Sequence, residues 1–375
     1  MMIETFENEL ATIKNAKTVY IYGAGDVSRE VYFCLSNKLY GISVSAFLVS
    51  SISVATPDKI ESIPVMTYDD GRLDRNAVVV IAVLEKYRDE ICNTLDSVGI
   101  TNRILMTFES DLWSVTRSRL FEHYCVEKGY PYLFNTDVLS SDISDNNDEL
   151  LKVYVTRSTK DKTLKSVFEK RYWEEEVFAG AALDKISQDN VRDDTGINIS
   201  SKNRKYCELT VMYWVWKNCK SEYVGLSHYR RRFDLSDNEI EKITTGELDV
   251  IVTTPMINVP NVKYMYGKNH NIEDWEKMLK VVAEKCPEYT QAVETVEKSN
   301  YYVPYNMFIM KWEIFDKYCE WLFPILEKCE QLIGDYEDVY QNRYIGFLAE
   351  RLMTAYIFKH RNDLKIMFCD KHFLE

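Results

Sequence analysis

Between Thr18 and Met106, apolar runs of strand length alternate with stretches of helical length, and this alternation constrains the fold more than any other feature of the chain. Thr18 to Tyr22 reads as a buried strand, followed by Gly23-Ala24-Gly25 and a helix from Val27 to Leu39. Strands at Ser43 to Ser50, Ile63 to Val65 and Ala77 to Leu84 follow, then a helix Lys86 to Val98 and a strand Arg103 to Met106. Strand and helix in turn over about a hundred residues predict a parallel, doubly wound sheet. The remaining two thirds of the chain are again α/β but less regular, and a length of 375 residues suits two domains.

The expected division is a Rossmann-like domain at 1–112, a helical and polar linker at 113–150, and a second α/β domain at 151–375. The best linker candidate is the Ser/Asp/Asn-rich stretch Asp137 to Glu149, with the boundary between 140 and 150. In the second half, strands are expected at Leu151 to Thr156, Tyr223 to Leu226, Leu248 to Thr253 and Tyr302 to Met310. Helices are expected near Tyr206 to Asn218, within Ile272 to Lys298, and at Trp312 to Glu330 and Tyr340 to His360.

The net charge of −13 argues against nucleic-acid binding and against broad docking on anionic lipid. Nine cysteines without CxxC spacing point to reduced thiols in a cytoplasmic protein. No apolar run approaches the roughly 20 residues that span a bilayer, and the N-terminal segment lacks a signal-peptide core.

Against that acidic background stands YVGLSHYRRRF, Tyr223 to Phe233. A buried strand ends in His228, Tyr229 and three arginines, and strand ends are where α/β sheets hold ligands. Guanidinium forks there select phosphate. Arg230 and Arg231 are the candidate phosphate ligands with His228.

Two turns carry further candidates. Gly23 and Gly25 would let a diphosphate approach a helix N-terminus, but Ser28 replaces the third glycine of the dinucleotide fingerprint and no acidic residue ends the next strand at Val49-Ser50-Ser51. Nicotinamide binding is therefore disfavoured. DDTGINIS, Asp193 to Ser200, is either an Asx-type turn or a loop whose Asp194 and Asn198 contact a base, ribose or sugar. Glu208 either pairs with Arg204, four residues earlier, or reaches into a cleft.

The first domain resembles the small Rossmann-like modules attached to bacterial sugar-modifying and polysaccharide-assembly enzymes, on YGAG, Ile63-Pro64-Val65 and Val78 to Val83. From about 151 to 365, YCELT, YWVWKN, EYVGLSHYRRRF, YNMFIMKWEIFDKYCEWLFPIL and GFLAERL resemble, in order, a bacterial family first catalogued as a domain of unknown function. Its members occur in capsular and exopolysaccharide gene clusters and are regarded as glycosyltransferases. Asp194, Gly196, Asn198, Ser200, Cys207, Glu208, His228, Tyr229, Arg230, Arg231, Asn306, Glu350 and Arg351 fit the family pattern. Thr156-Arg157-Ser158 departs from the family's Thr-His-Lys, and His270 stands for a histidine in an altered stretch after Pro255. Arg232 stands where an aromatic is usual and is read as a solvated extra.

The resemblance implies a GT-A-like domain that moves a hexose, such as galactose, from a UDP-sugar to a growing, lipid-linked saccharide of the cell surface. It also implies a cytoplasmic protein, peripheral to a membrane assembly complex. Enzymes of that type hold a metal ion with a DxD motif after a central strand; here His228 and Arg230 take the place of the carboxylates. Leaving-group charge would be compensated by guanidinium and imidazole, so no cofactor is required, with Mn²⁺ or Mg²⁺ left open. An inverting transferase needs a carboxylate base, for which Asp335, Glu337, Asp338 and Glu350 are candidates. His270, Asn306 and Arg351 are expected near the nucleotide or sugar. The alternatives are a NAD-dependent sugar oxidoreductase or epimerase, and a non-catalytic nucleotide-sugar-binding scaffold.

Overall fold

The computed structural model describes residues 2–374 except 55, 138, 140–149, 165–168 and 245–247. The chain forms two compact units, Met1–Tyr124 and Cys125–Glu375. Most of the polar stretch proposed as the linker lies outside the described residues.

The first unit contains α1 (Met2–Asn15), β1 (Val19–Tyr22), α2 (Asp26–Ser36), β2 (Ala46–Val49), β3 (Lys59–Ile60), β4 (Ile63–Thr67), β5 (Val78–Ile81), α3 (Arg88–Ser97), β6 (Arg103–Leu105) and all but the last turn of α4 (Asp111–Lys128). Its sheet runs β3-β4-β2-β1-β5-β6, parallel throughout except for the β3–β4 hairpin. This is the doubly wound, Rossmann-like sheet that the alternation predicted. Gly23 has φ +124, and a Cβ there would lie 2.7 Å from the Ala82 carbonyl oxygen. Only glycine fits that turn between neighbouring strand ends. Gly25 precedes α2 with an ordinary φ of −88.

The second unit contains β7 (Leu151–Arg157), β8 (Glu174–Phe178), α5 (Asn203–Tyr206), α6 (Leu209–Asn218), β9 (Tyr223–His228), β10 (Arg231–Phe233), α7 (Asp237–Lys242) and β11 (Val250–Thr253). Then come β12 (Met256–Ile257), α8 (Val262–Asn269), α9 (Ile272–Lys285), α10 (Thr290–Lys298), β13 (Tyr301–Tyr302), β14 (Phe308–Lys311), α11 (Trp312–Ile333), α12 (Tyr344–Lys359), β15 (Ile366–Cys369) and β16 (Lys371–Phe373). The mixed sheet runs β15-β11-β14-β9-β10-β16, with β7 joining β9 to β8. β9 is its centre, pairing antiparallel with β14 and parallel with β7. Its first five residues are buried. Gly225 is demanded by that crowding: a Cβ there would lie 2.8 Å from Val153 Cγ2 and 2.9 Å from the Phe308 carbonyl oxygen.

Two expected elements are broken. The helix predicted from Tyr206 to Asn218 divides at Cys207, whose φ of 50 and ψ of −129 no helix accommodates. The strand predicted from Tyr302 to Met310 is two short pieces, β13 and β14, separated by residues 303–307. Pro304 removes a ladder donor, and Tyr305 and Asn306 are left-handed, with φ 73 and 52. Hydrophobicity alone does not reveal either break.

Candidate functional site

β9 ends at His228, and a two-residue turn, Tyr229-Arg230, returns the chain as β10 with Arg231 directly opposite His228. Side chains alternate along a strand, so neighbouring arginines face different surroundings. Arg231 lies over the Tyr305 ring at 4.4 Å, and its guanidinium makes no hydrogen bond or ion pair with any described residue. Arg232 faces the other way and is buried against Glu174 of β8, with an ion pair of 3.0 Å. The reading of Arg232 as a solvated extra is thus corrected: the period of two places it in the core. Arg230 lies between the Tyr229 and Phe373 rings, at 5.4 and 5.1 Å.

His228 and Arg231 open onto a cavity of about 410 Å³. Cys207 and Glu208 contribute from the break before α6, Asn269 and His270 from the end of α8, and Tyr305 from the left-handed loop. Gly346, Phe347, Glu350 and Arg351 contribute from one face of α12, and Arg343 from the turn before it. Of the expected site residues, the cavity gathers His228, Arg231, Glu208, His270, Glu350 and Arg351.

The left-handed pair organises these groups. The Tyr305 carbonyl accepts from His228 Nε2 at 2.7 Å, and the Tyr305 N–H donates to Glu350 Oε1 at 2.7 Å. Asn306 is fully buried, and its Nδ2 donates to Glu208 Oε1 at 2.7 Å and to the Gly346 carbonyl at 3.3 Å. Asn306 thus stands behind the cavity and orients Glu208, which reaches inward rather than pairing with Arg204. Non-glycine residues with positive φ cost of order 1–3 kcal/mol each and cluster where a site needs them. Three of them, Cys207, Tyr305 and Asn306, are at this cavity or its wall.

The electrostatics follow from the enclosure. Burial pushes the His228 imidazole below its usual range; Arg231 and Arg343 act in the same direction, against Glu208 and the Tyr305 carbonyl. Burial raises the Glu350 carboxyl, opposed by Arg351, which donates to Glu350 Oε2, and by the Tyr305 N–H. Burial, with Arg351 and Arg343 nearby, lowers His270 to about 3. The His270 ring stacks on Phe347 at 3.9 Å and on Tyr340 at 5.7 Å, giving the cavity an aromatic wall. Arg351 is packed between neighbours, over Tyr302 at 4.3 Å and bonded to the Phe347 carbonyl.

Arg343 escaped the sequence reading. Its Nε donates to Cys207 Sγ at 3.2 Å, and burial, with Glu208 close by, pushes that thiol up to about 11. A signal was present: Arg343 precedes Glu350 by seven residues, two helical turns, and so shares its face.

Other expected residues lie elsewhere. Asp338 is exposed and caps the turn 341–343 by accepting the Gln341 N–H at 2.7 Å. Asp335 pairs with Lys205 at 2.8 Å. In DDTGINIS the turn reading describes what is seen: Asp194 pairs with Arg192 at 3.0 Å, and Asn198 bonds the Gly196 carbonyl and the Ser200 N–H. The fully buried Asp193 accepts from Gly180 N, Ala181 N and Ser200 Oγ and ties the loop to β8. Gly23 and Gly25 belong to the first unit. Among the described residues no three His, Cys, Asp or Glu side chains converge as a metal-holding group.

The family model described as Domain of unknown function (DUF4422) matches residues 152–362, more than half of the chain. The chain belongs to this family. Every residue lining the cavity falls within the DUF4422 segment. No curated protein matches the chain. Among solved structures it is similar to the WbbM bifunctional glycosyltransferase in its apo form, at 30% identity and a TM-score of 0.52. That match covers 60% of this chain and 45% of WbbM, so the DUF4422 chain spans less than half of that protein's length. The α/β fold class expected from the resemblance is the one observed. No helix among the described residues is long and apolar enough to cross a membrane.

Proposed function

We propose that this chain is a glycosyltransferase and that the cavity beyond β9 holds the diphosphate of a nucleotide-sugar donor, in a GT-A-like arrangement. The observation that carries this reading is Arg231. In a chain of net charge −13, a guanidinium lines a cavity without a direct ion pair to any described residue, the Glu350 carboxylate acting on it only from a distance. Arg343 lines the same cavity with a thiol in place of a carboxylate. Two such groups suit a diphosphate, whose charge grows as the sugar C1–O bond breaks. The aromatic wall of Tyr340, His270 and Phe347 offers a stacking surface for the sugar or base. The similarity to WbbM supports the same activity class.

On this reading the donor is a UDP-hexose and the acceptor a saccharide, lipid-linked during cell-surface polysaccharide assembly. A screen of nucleotide sugars with the full chain tests the donor, and Arg231→Ala and Arg343→Ala test the site. Each substitution is expected to weaken UDP binding in calorimetry and to lower transfer by about a hundredfold, the effect of removing one donor to a developing oxyanion. Wild-type binding and turnover in both variants would refute the placement of the diphosphate.

A further inference from the structure

A carbonyl oxygen can only accept a hydrogen bond, so the 2.7 Å contact between His228 Nε2 and the Tyr305 carbonyl requires the proton on Nε2. In the neutral ring the lone pair is then on Nδ1, which makes no hydrogen bond with any described residue. A neutral imidazole held this way is a poor ligand for a phosphate and keeps one lone pair available to a proton.

The carboxylates are less suited. Glu350 has one oxygen bonded to the Tyr305 N–H and the other to Arg351. Glu208 has one oxygen bonded to Asn306. Glu208 is instead the charge that favours protonation of His228, against the opposing Arg231 and Arg343.

We propose that His228 is the general base of the transfer, taking the acceptor hydroxyl's proton on Nδ1. This rests on the cavity being the donor site. The acceptor oxygen forms its bond to the anomeric C1 as its proton moves to Nδ1. The C1–O bond to the nucleoside diphosphate breaks, and its electron pair leaves with the diphosphate. The imidazolium, stabilised by Glu208, afterwards releases its proton to water. Tyr305 and Glu350 are positioning residues: the Tyr305 carbonyl selects the tautomer, and the Glu350 carboxyl holds the Tyr305 N–H.

The test uses His228→Gln, which retains a side-chain donor for the Tyr305 carbonyl, and His228→Ala, in the full chain. UDP binding is measured by calorimetry and transfer by steady-state kinetics. Loss of the base should lower kcat by about 10²–10⁴-fold, with UDP affinity unchanged within about threefold. In the wild type, kcat/KM should fall as pH drops through a pKa below 6.5, and this limb should vanish from the variants. Added imidazole should restore part of the activity of His228→Ala. Wild-type kcat in His228→Gln, or UDP affinity falling in step with rate, overturns the proposal while leaving the donor site standing. So does an acid limb that survives in His228→Gln and vanishes in Glu208→Gln. A wild-type chain that binds no nucleoside diphosphate overturns the donor-site reading and this inference together.

Discussion

Arg231 and Arg232 are neighbours in sequence, and their replacement by alanine should have opposite consequences. Arg232 and Glu174 have side chains only 5% and 1% exposed, and they form an ion pair of 3.0 Å. Burial pushes the Arg232 guanidinium below its usual range even though Glu174 and Glu176 pull it up. The attraction therefore does not offset the loss of hydration. Deleting one partner leaves the other charged and buried, a cost of about 3–5 kcal/mol. For a unit of this size that corresponds to a fall in Tm of about 6–20 °C. Arg231→Ala removes ring contacts with Tyr305 and Phe373, together about 1 kcal/mol at this cavity-facing site and so about 2–4 °C. The assay is differential scanning calorimetry of the full chain with and without UDP. Arg232→Ala should melt much earlier, while Arg231→Ala should melt within about 4 °C of the wild type and lose the upward shift that UDP gives it. The double variant Arg232→Met with Glu174→Met should recover most of the loss, since an apolar pair is often as stable as a buried ionic one. The reasoning fails if Arg232→Ala melts within about 2 °C of the wild type, or if the double variant is no better than the single.

Two further outcomes follow from the cavity. Transfer should survive EDTA, because Arg231 and Arg343 are positioned to compensate the leaving group's charge; a complete loss that Mn²⁺ restores would refute that assignment. His270, lowered to about 3 by burial and by Arg351 and Arg343, remains neutral in the folded chain where an unfolded histidine would bind a proton. The unfolded state then holds more protons below pH 6.5, so stability should decline as pH falls from 6.5 towards 3. His270→Phe, which preserves stacking on Phe347 and Tyr340, should flatten this decline in thermal melts taken across that range.

Repeating local patterns were legible in the chain. The first sheet could be read because parallel strands buried on both faces are continuous apolar runs, as Val78–Ile81 is. His228 and Arg231 could be located because an apolar strand ends abruptly in charge. Less legible was what depends on orientation or distant contact. Three consecutive arginines look alike in a string, yet the turn at Tyr229-Arg230 fixes which one faces the cavity and which enters the core. Arg343 lies more than a hundred residues from Arg231 in sequence and carries no local mark beyond its helical spacing from Glu350. Asp338 is one of four carboxylates that the sequence offers as the base, whereas it caps a turn, a local task that side chains of its type perform routinely.

The left-handed pair Tyr305-Asn306 explains why so many separate elements converge. An extended residue directs its N–H and C=O along the ladder of a sheet; at φ 73, Tyr305 leaves the ladder, and its N–H and C=O instead engage Glu350 of α12 and His228 of β9. Asn306, at φ 52, carries the turn onward, and its side chain reaches Glu208 before α6 and Gly346 in α12. Two strained residues thus couple one strand and two helices through four hydrogen bonds. Asparagine tolerates this conformation better than most side chains; tyrosine does not, and its conformation is sustained by the bonds at both of its peptide groups. The strain is located where the imidazole tautomer and the carboxylate positions are set. A sequence read for hydrophobic period alone continues the strand through this point, because Tyr, Met and Phe all suit a strand, and the departure from that period is what builds the cavity.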